Sequence, residues 1–112
     1  MVQLNDARLD ATFAALSDAT RRGVLAQLGG DDASISALAE RFGMTLTGMK
    51  KHVAVLEGAG LVVTRKVGRV RTCRLGPHRL EDVMSWMETY RRLWAARFEA
   101  LDAVLEDLKG KD

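Results

Sequence analysis

The sequence predicts a mostly helical domain carrying one two-stranded β-hairpin, in the order α-α-α-α-β-β-α. Apolar residues recur at helical spacing over four short stretches and one long one. A run rich in β-branched residues between 61 and 75 folds back on itself at Gly68-Arg69. The chain of 112 residues, 47% hydrophobic with a single proline, is sized for one domain spanning 1–112 around one core.

Leu9, Phe13 and Leu16 stand at i, i+4 and i+7, which predicts a first amphipathic helix ending near Ser17. Asp18 is placed to cap a second, whose inward stripe is Val24, Leu25 and Leu28 and whose stop is Gly29-Gly30. Asp31-Asp32 reads as a loop. Ser34 is the expected cap of a third helix with Ile35, Leu38, Ala39 and Phe42 inward, ending at Gly43. Thr45 caps the fourth, roughly Leu46 to Gly58, with Met49, Val53 and Leu56 on its inner side and Thr47, Lys50, Lys51 and Ala54 on the outer.

Ala39, Gly43 and Met49 have the spacing of a helix-turn-helix: a small residue at the crossing, a flexible one in the turn, an apolar anchor beneath the second helix. Spacing alone leaves an ordinary helical hairpin open. The hairpin that follows, with arms from Leu61 to Val67 and from Val70 to Leu75, carries Arg65, Lys66, Arg69, Arg71 and Arg74. Helix, turn, helix and basic hairpin together make a winged helix. Gly76-Pro77 then breaks the chain, and apolar residues from Leu80 to Leu108 mark a long helix over Arg79 to Leu108. Its Trp94, Phe98, Leu101 and Leu105, with Leu9 and Phe13 of the first helix, are the large side chains that call for a partner surface; a purely intramolecular core is the other reading.

Charge is distributed unevenly. Residues 1–43 hold four Arg against six acids, residues 44–76 seven Lys or Arg against the single acid Glu57, and residues 77–112 six against eight. A basic segment between mildly acidic ones points to a polyanion, with Lys50, Lys51, Arg65, Lys66, Arg69 and Arg71 supplying phosphate affinity; a solvated charged face is the bland alternative.

Three stretches carry a family resemblance: Ala15-Leu16-Ser17-Asp18-Ala19-Thr20-Arg21-Arg22 with Val24-Leu25, then Leu38-Ala39-Glu40-Arg41-Phe42-Gly43-Met44-Thr45, then the segment from Lys51-His52-Val53 to Gly60-Leu61-Val62. They closely resemble the ArsR family of bacterial winged-helix repressors, and the segment from Trp86 to Leu101 resembles the last helix of a branch not built around metal binding. The resemblance implies a homodimer assembled by the first and last helices, which binds a pseudo-palindromic operator through helix 46–58 and the wing 61–75 and releases it to an inducer. It places the base readers at Leu46, Thr47, Lys50 and Lys51, with His52 at the edge. Family members often carry Gln at the position of Leu46 and Ser at that of Lys50, so amide readout of adenine is not expected here. Leu46 suits a thymine methyl, and Lys50 a guanine edge or a phosphate.

The metal-sensing members of the family use a Cys-x-Cys near the third helix, or His and acidic ligands on the last; neither is present, and no metal or cofactor is expected. One cysteine, Cys73, allows no internal disulfide. His52 and His78 are too far apart in the chain to suggest a zinc site. Met84, Trp86, Met87, Tyr90 and Trp94 fit either an apolar pocket for an unknown small-molecule inducer or plain core packing. No run approaches the ~20 apolar residues of a membrane span and the N-terminal residues lack a signal-peptide pattern, so the expected compartment is the cytoplasm. No catalytic set can be assembled. The expected partners are double-stranded DNA and a second copy of the chain; a winged helix serving as a protein-docking module is the alternative, against which the seven cations between Lys50 and Arg74 argue.

Overall fold

The computed structural model of the chain describes residues 2–78 and 80–110. Two compact units are present, Met1–Glu81 and Asp82–Asp112. The first contains α1 (Val2–Leu16), α2 (Ala19–Gly30), β1 (Ala33–Ser34), α3 (Ile35–Arg41), α4 (Leu46–Gly58), β2 (Val62–Val67) and β3 (Val70–Leu75); the second is in essence α5 (Glu81–Gly110).

The α2, α3 and α4 helices each start where a side-chain oxygen can take up a free amide. Asp18 accepts from Arg21 N at 3.1 Å, Ser34 from Ala37 N at 3.0 Å and Thr45 from Gly48 N at 3.0 Å. Such a cap stabilises a helix by about 1 kcal/mol. The Arg21 amide also holds the Asp18 carboxyl below the usual carboxylate range. At the other end of α1, the carbonyls left without intrahelical partners are met by guanidiniums of α2: Arg21 donates to Ala14 and Ala15, Arg22 to Leu16. The α2 helix runs through Gly29-Gly30 and ends at the extended residue Asp31, whose N–H returns to Gln27 O.

The core of this unit is continuous through Val24 and Leu28 of α2, Ile35, Leu38 and Ala39 of α3, Met49, Val53 and Leu56 of α4, and Val62 and Cys73 of the sheet. The α3–α4 turn is tight. Met44 N bonds Ala39 O at 2.9 Å while Gly43 takes φ +62°, a left-handed conformation that residues with a Cβ rarely adopt. In the hairpin the pairing runs from Val62 with Leu75 to Val67 with Val70, closed by Gly68 at φ +63°.

Two features depart from the sequence reading. The sheet has three strands, not two, in the order β1-β3-β2, because Ala33 and Ser34 pair antiparallel with Cys73 and Thr72. Two residues carry no periodicity of their own, and they become a strand only because the free edge of β3 offers its backbone groups. The last helix begins at Glu81 rather than Arg79. Leu80 sits at φ +69° and packs its partly buried side chain on the core of the first unit; an L-residue in that region costs roughly 1–2 kcal/mol, against which this packing works.

The second unit is a 30-residue helix, roughly 45 Å long. Trp86, Tyr90 and Trp94 form a ladder with ring centroids 4.8 and 6.2 Å apart. Beside them Glu88 is clasped by Arg91 at 2.7 Å and Arg92 at 3.3 Å, which holds its carboxyl down to about 2. Trp94, Phe98, Leu101 and Leu105 are all exposed. Among the described residues no helix is long and apolar enough to cross a membrane.

Candidate nucleic-acid interface

The packing of α4 decides which of its side chains face outward. Met49, Val53 and Leu56 are buried beneath it, so Leu46, Thr47, Lys50 and Lys51 are left on the solvent side of its first turns. Residues 46 and 50 lie one turn apart on one stripe, and that stripe borders an open cleft. Its other walls are Ser34, Ile35 and Ser36, where β1 leads into α3, and Lys66, Arg69, Val70 and Arg71 of the wing. Thr47 and Lys51 are exposed on the next stripe, outside the cleft.

Strand register explains which wing cations join them. Side chains alternate between the two faces of the ribbon, and directly paired residues share a face. Lys66 pairs with Arg71, and both share the face of Thr64 and the buried Cys73, the face turned to α4. Arg65 pairs with Thr72 on the opposite face and does not line the cleft. Arg74 also lies on that outer face, where Asp32 engages it through two hydrogen bonds, at 2.8 and 3.2 Å.

His52 is also set apart. It is half-buried at the α2–α4 junction, with Nδ1 3.1 Å from the Arg21 guanidinium and 3.9 Å from Asp18 Oδ1. Accepting from Arg21 requires a lone pair on Nδ1, so the ring holds two helices together instead of facing outward. Leu9 is 8% exposed, already covered within its own chain, whereas Phe13 keeps 39% of its surface open. The two residues expected to share one partner surface therefore differ: only Phe13 presents itself.

Three contributions escaped the sequence reading. Ser34 and Ser36 enter the cleft because β1 carries the start of α3 beside the wing. Thr64 accepts from Arg71 Nη1 at 3.0 Å and donates to Glu57 Oε2 at 2.9 Å. Nothing in the sequence pairs Thr64 with Glu57.

No carboxylate among the described residues pairs with Lys50, Lys66 or Arg69. The result is a concavity of uncompensated positive charge with an exposed apolar side chain in its wall, since Leu46 retains 44% exposure. Such a surface suits a polyanion that also offers apolar edges. Cys73 lies on the ribbon's inner face but is fully buried; burial, reinforced by the nearby Glu57 carboxylate, pushes its thiol up to about 11. It is inert as a nucleophile at neutral pH. Among the described residues no group of three His, Cys, Asp or Glu side chains is placed to hold a metal ion.

The sequence over residues 16–65 matches a helix-turn-helix domain family. It is similar to the transcriptional repressor SdpR of Bacillus subtilis, 29% identical over 79 residues that cover 70% of this chain and 88% of that protein. A crystal structure of an ArsR family transcriptional regulator superposes with a TM-score of 0.75 at 39% identity, covering 80% of this chain and 93% of the other. A homodimeric winged helix-turn-helix DNA-binding domain from Mycobacterium bovis shares the fold at a TM-score of 0.61 and 23% identity, each chain covered over 84%.

Proposed function

The chain belongs to the ArsR family of winged helix-turn-helix transcriptional regulators, and from that premise we propose that it is a homodimeric repressor, acting in the cytoplasm, that binds a pseudo-palindromic operator. The observation that carries the reading is the cleft between α4 and the wing. Lys50, Lys66, Arg69 and Arg71 line it together with Leu46, the side chains at the start of α3 line a third wall, and among the described residues no carboxylate pairs with the first three cations. In this reading α4 enters the major groove with Leu46 and Thr47 at base edges, while Lys50, Lys51 and the wing cations grip phosphates. Arg65, on the outer face of the ribbon, and His52, committed to Arg21, are dropped from the set of DNA contacts.

A second copy is the partner that the exposed stripe of α5 asks for. Each large aromatic on it can bury ~150–250 Å² when packed, and left open the stripe would be an aggregation patch. Two-fold symmetry then sets two half-sites one helical turn apart, ~10 base pairs centre to centre. SdpR is a repressor, which supports the same sign of regulation here.

Selection of duplexes from a random pool by the purified protein, followed by a salt titration, tests this. With three to five phosphates neutralised per subunit, affinity falls by roughly 10³ to 10⁵ between ~50 and ~200 mM salt, and replacing Arg69 and Arg71 with Ala flattens the slope for every sequence. No enriched duplex, or a salt-insensitive complex, overturns the assignment.

A further inference from the structure

Glu57 is the single acid between residues 44 and 76, and it does not pair directly with any cation of the cleft. It reaches one through a hydroxyl. Thr64 donates its proton to Glu57 Oε2 at 2.9 Å and accepts from Arg71 Nη1 at 3.0 Å, so one side chain bridges the last turns of α4 to the wing. A hydroxyl has one proton and two lone pairs, and both bonds form at once. The relay crosses from helix to ribbon beside Cys73, directly opposite Thr64 on β3.

This arrangement has a physical consequence for Arg71. A free arginine on a hairpin samples many rotamers and loses that freedom on gripping a phosphate. Bonded to an anchored hydroxyl, it is ordered before the phosphate arrives. A direct Glu57–Arg71 ion pair would order it too, but would occupy several of its donors and cancel its charge. With Thr64 between them, one N–H is used and the remaining donors of the guanidinium stay available to the cleft.

We propose that Thr64 is a positioning residue for DNA binding: its hydroxyl, anchored by Glu57, aims the Arg71 guanidinium into the cleft. The inference rests on the cleft being the DNA-binding face. The test uses the full chain and a duplex it selects from a random pool. Thr64→Val removes both hydrogen bonds while keeping the size and the β-branching that suit a strand. Affinity falls roughly three- to tenfold, the range expected for one organising hydrogen bond. The salt slope is unchanged because no charge is lost, and Thr64→Ser restores wild-type binding. In an Arg71→Ala background, Thr64→Val has no further effect. The same loss in both backgrounds would mean that Thr64 merely holds the wing together, and wild-type affinity for Thr64→Val would mean that the relay is idle; either overturns the proposal. Failure of the wild type to select any duplex would instead overturn the DNA-binding reading beneath it.

Discussion

The proposed contact of Leu46 with DNA gives the sharpest test, because an exposed leucine amid cations has few counterparts on a duplex. The major groove offers one common apolar feature, the 5-methyl group of thymine. Replacing each thymine of a selected duplex in turn with deoxyuridine deletes that methyl and leaves pairing and charge intact. Leu46 keeps 44% of its surface open in the free chain, so a methyl seated on it is newly removed from water. One such group is worth about 0.8 kcal/mol, close to a fourfold loss of affinity per half-site. Substituting the equivalent thymine in both half-sites doubles this to about 1.6 kcal/mol, a loss of roughly 15-fold. Fluorescence anisotropy titrations at fixed salt resolve both values. Leu46→Ala binds the thymine and uracil duplexes equally, and since Leu46 is exposed and Thr45 still caps the helix, its thermal unfolding stays near wild type. The reasoning is refuted if no thymine position discriminates, or if Leu46→Ala discriminates as the wild type does.

Phe98→Glu places an unpaired charge in the proposed seam between α5 helices at a cost of several kcal/mol, enough to turn a micromolar dimer largely into monomer and abolish operator binding; sedimentation followed by a titration checks both steps. Zinc, cadmium or arsenite at low micromolar levels leaves operator affinity within about twofold, as read by a competition gel, and release of DNA by any of them would refute the absence of a sensing site. Cys73 resists a thiol reagent at pH 8 in the native protein and reacts fully in denaturant. Its folded thiol, raised to about 11, keeps its proton above the pH at which the unfolded thiol loses it, so the unfolded state binds fewer protons between about pH 9 and 11. Cys73 therefore contributes a fall in stability with rising pH across that window, which Cys73→Ser lacks in denaturant titrations.

Interactions within a turn or two of the chain are legible in the sequence. Asp18, Ser34 and Thr45 all cap as their chemistry suggests, since a cap needs only an acceptor and an amide three residues on. Gly68 turns the hairpin, and Met49, Val53 and Leu56 lie on the inner face that their spacing marks. The outward stripe of α4 was legible for the same reason: once the buried side of the helix is known, the outer side follows.

Contacts between segments distant in the chain were not. Alternation says that Arg65 and Lys66 face opposite ways, but which of the two looks onto α4 depends on how the ribbon packs, and that puts Lys66 and Arg71 in the cleft and leaves Arg65 outside. His52 has the composition of a phosphate contact, and only its proximity to Arg21, thirty-one residues earlier, commits it to the α2–α4 junction. Leu9 and Phe13 belong to one helical stripe, yet one is covered and the other open, because burial is set by what lies across from a side chain. The β1 strand and the Glu57–Thr64–Arg71 relay exist for the same reason. Periodicity reports which face of an element is apolar, whereas the partner that meets that face is chosen by the packing of the whole chain.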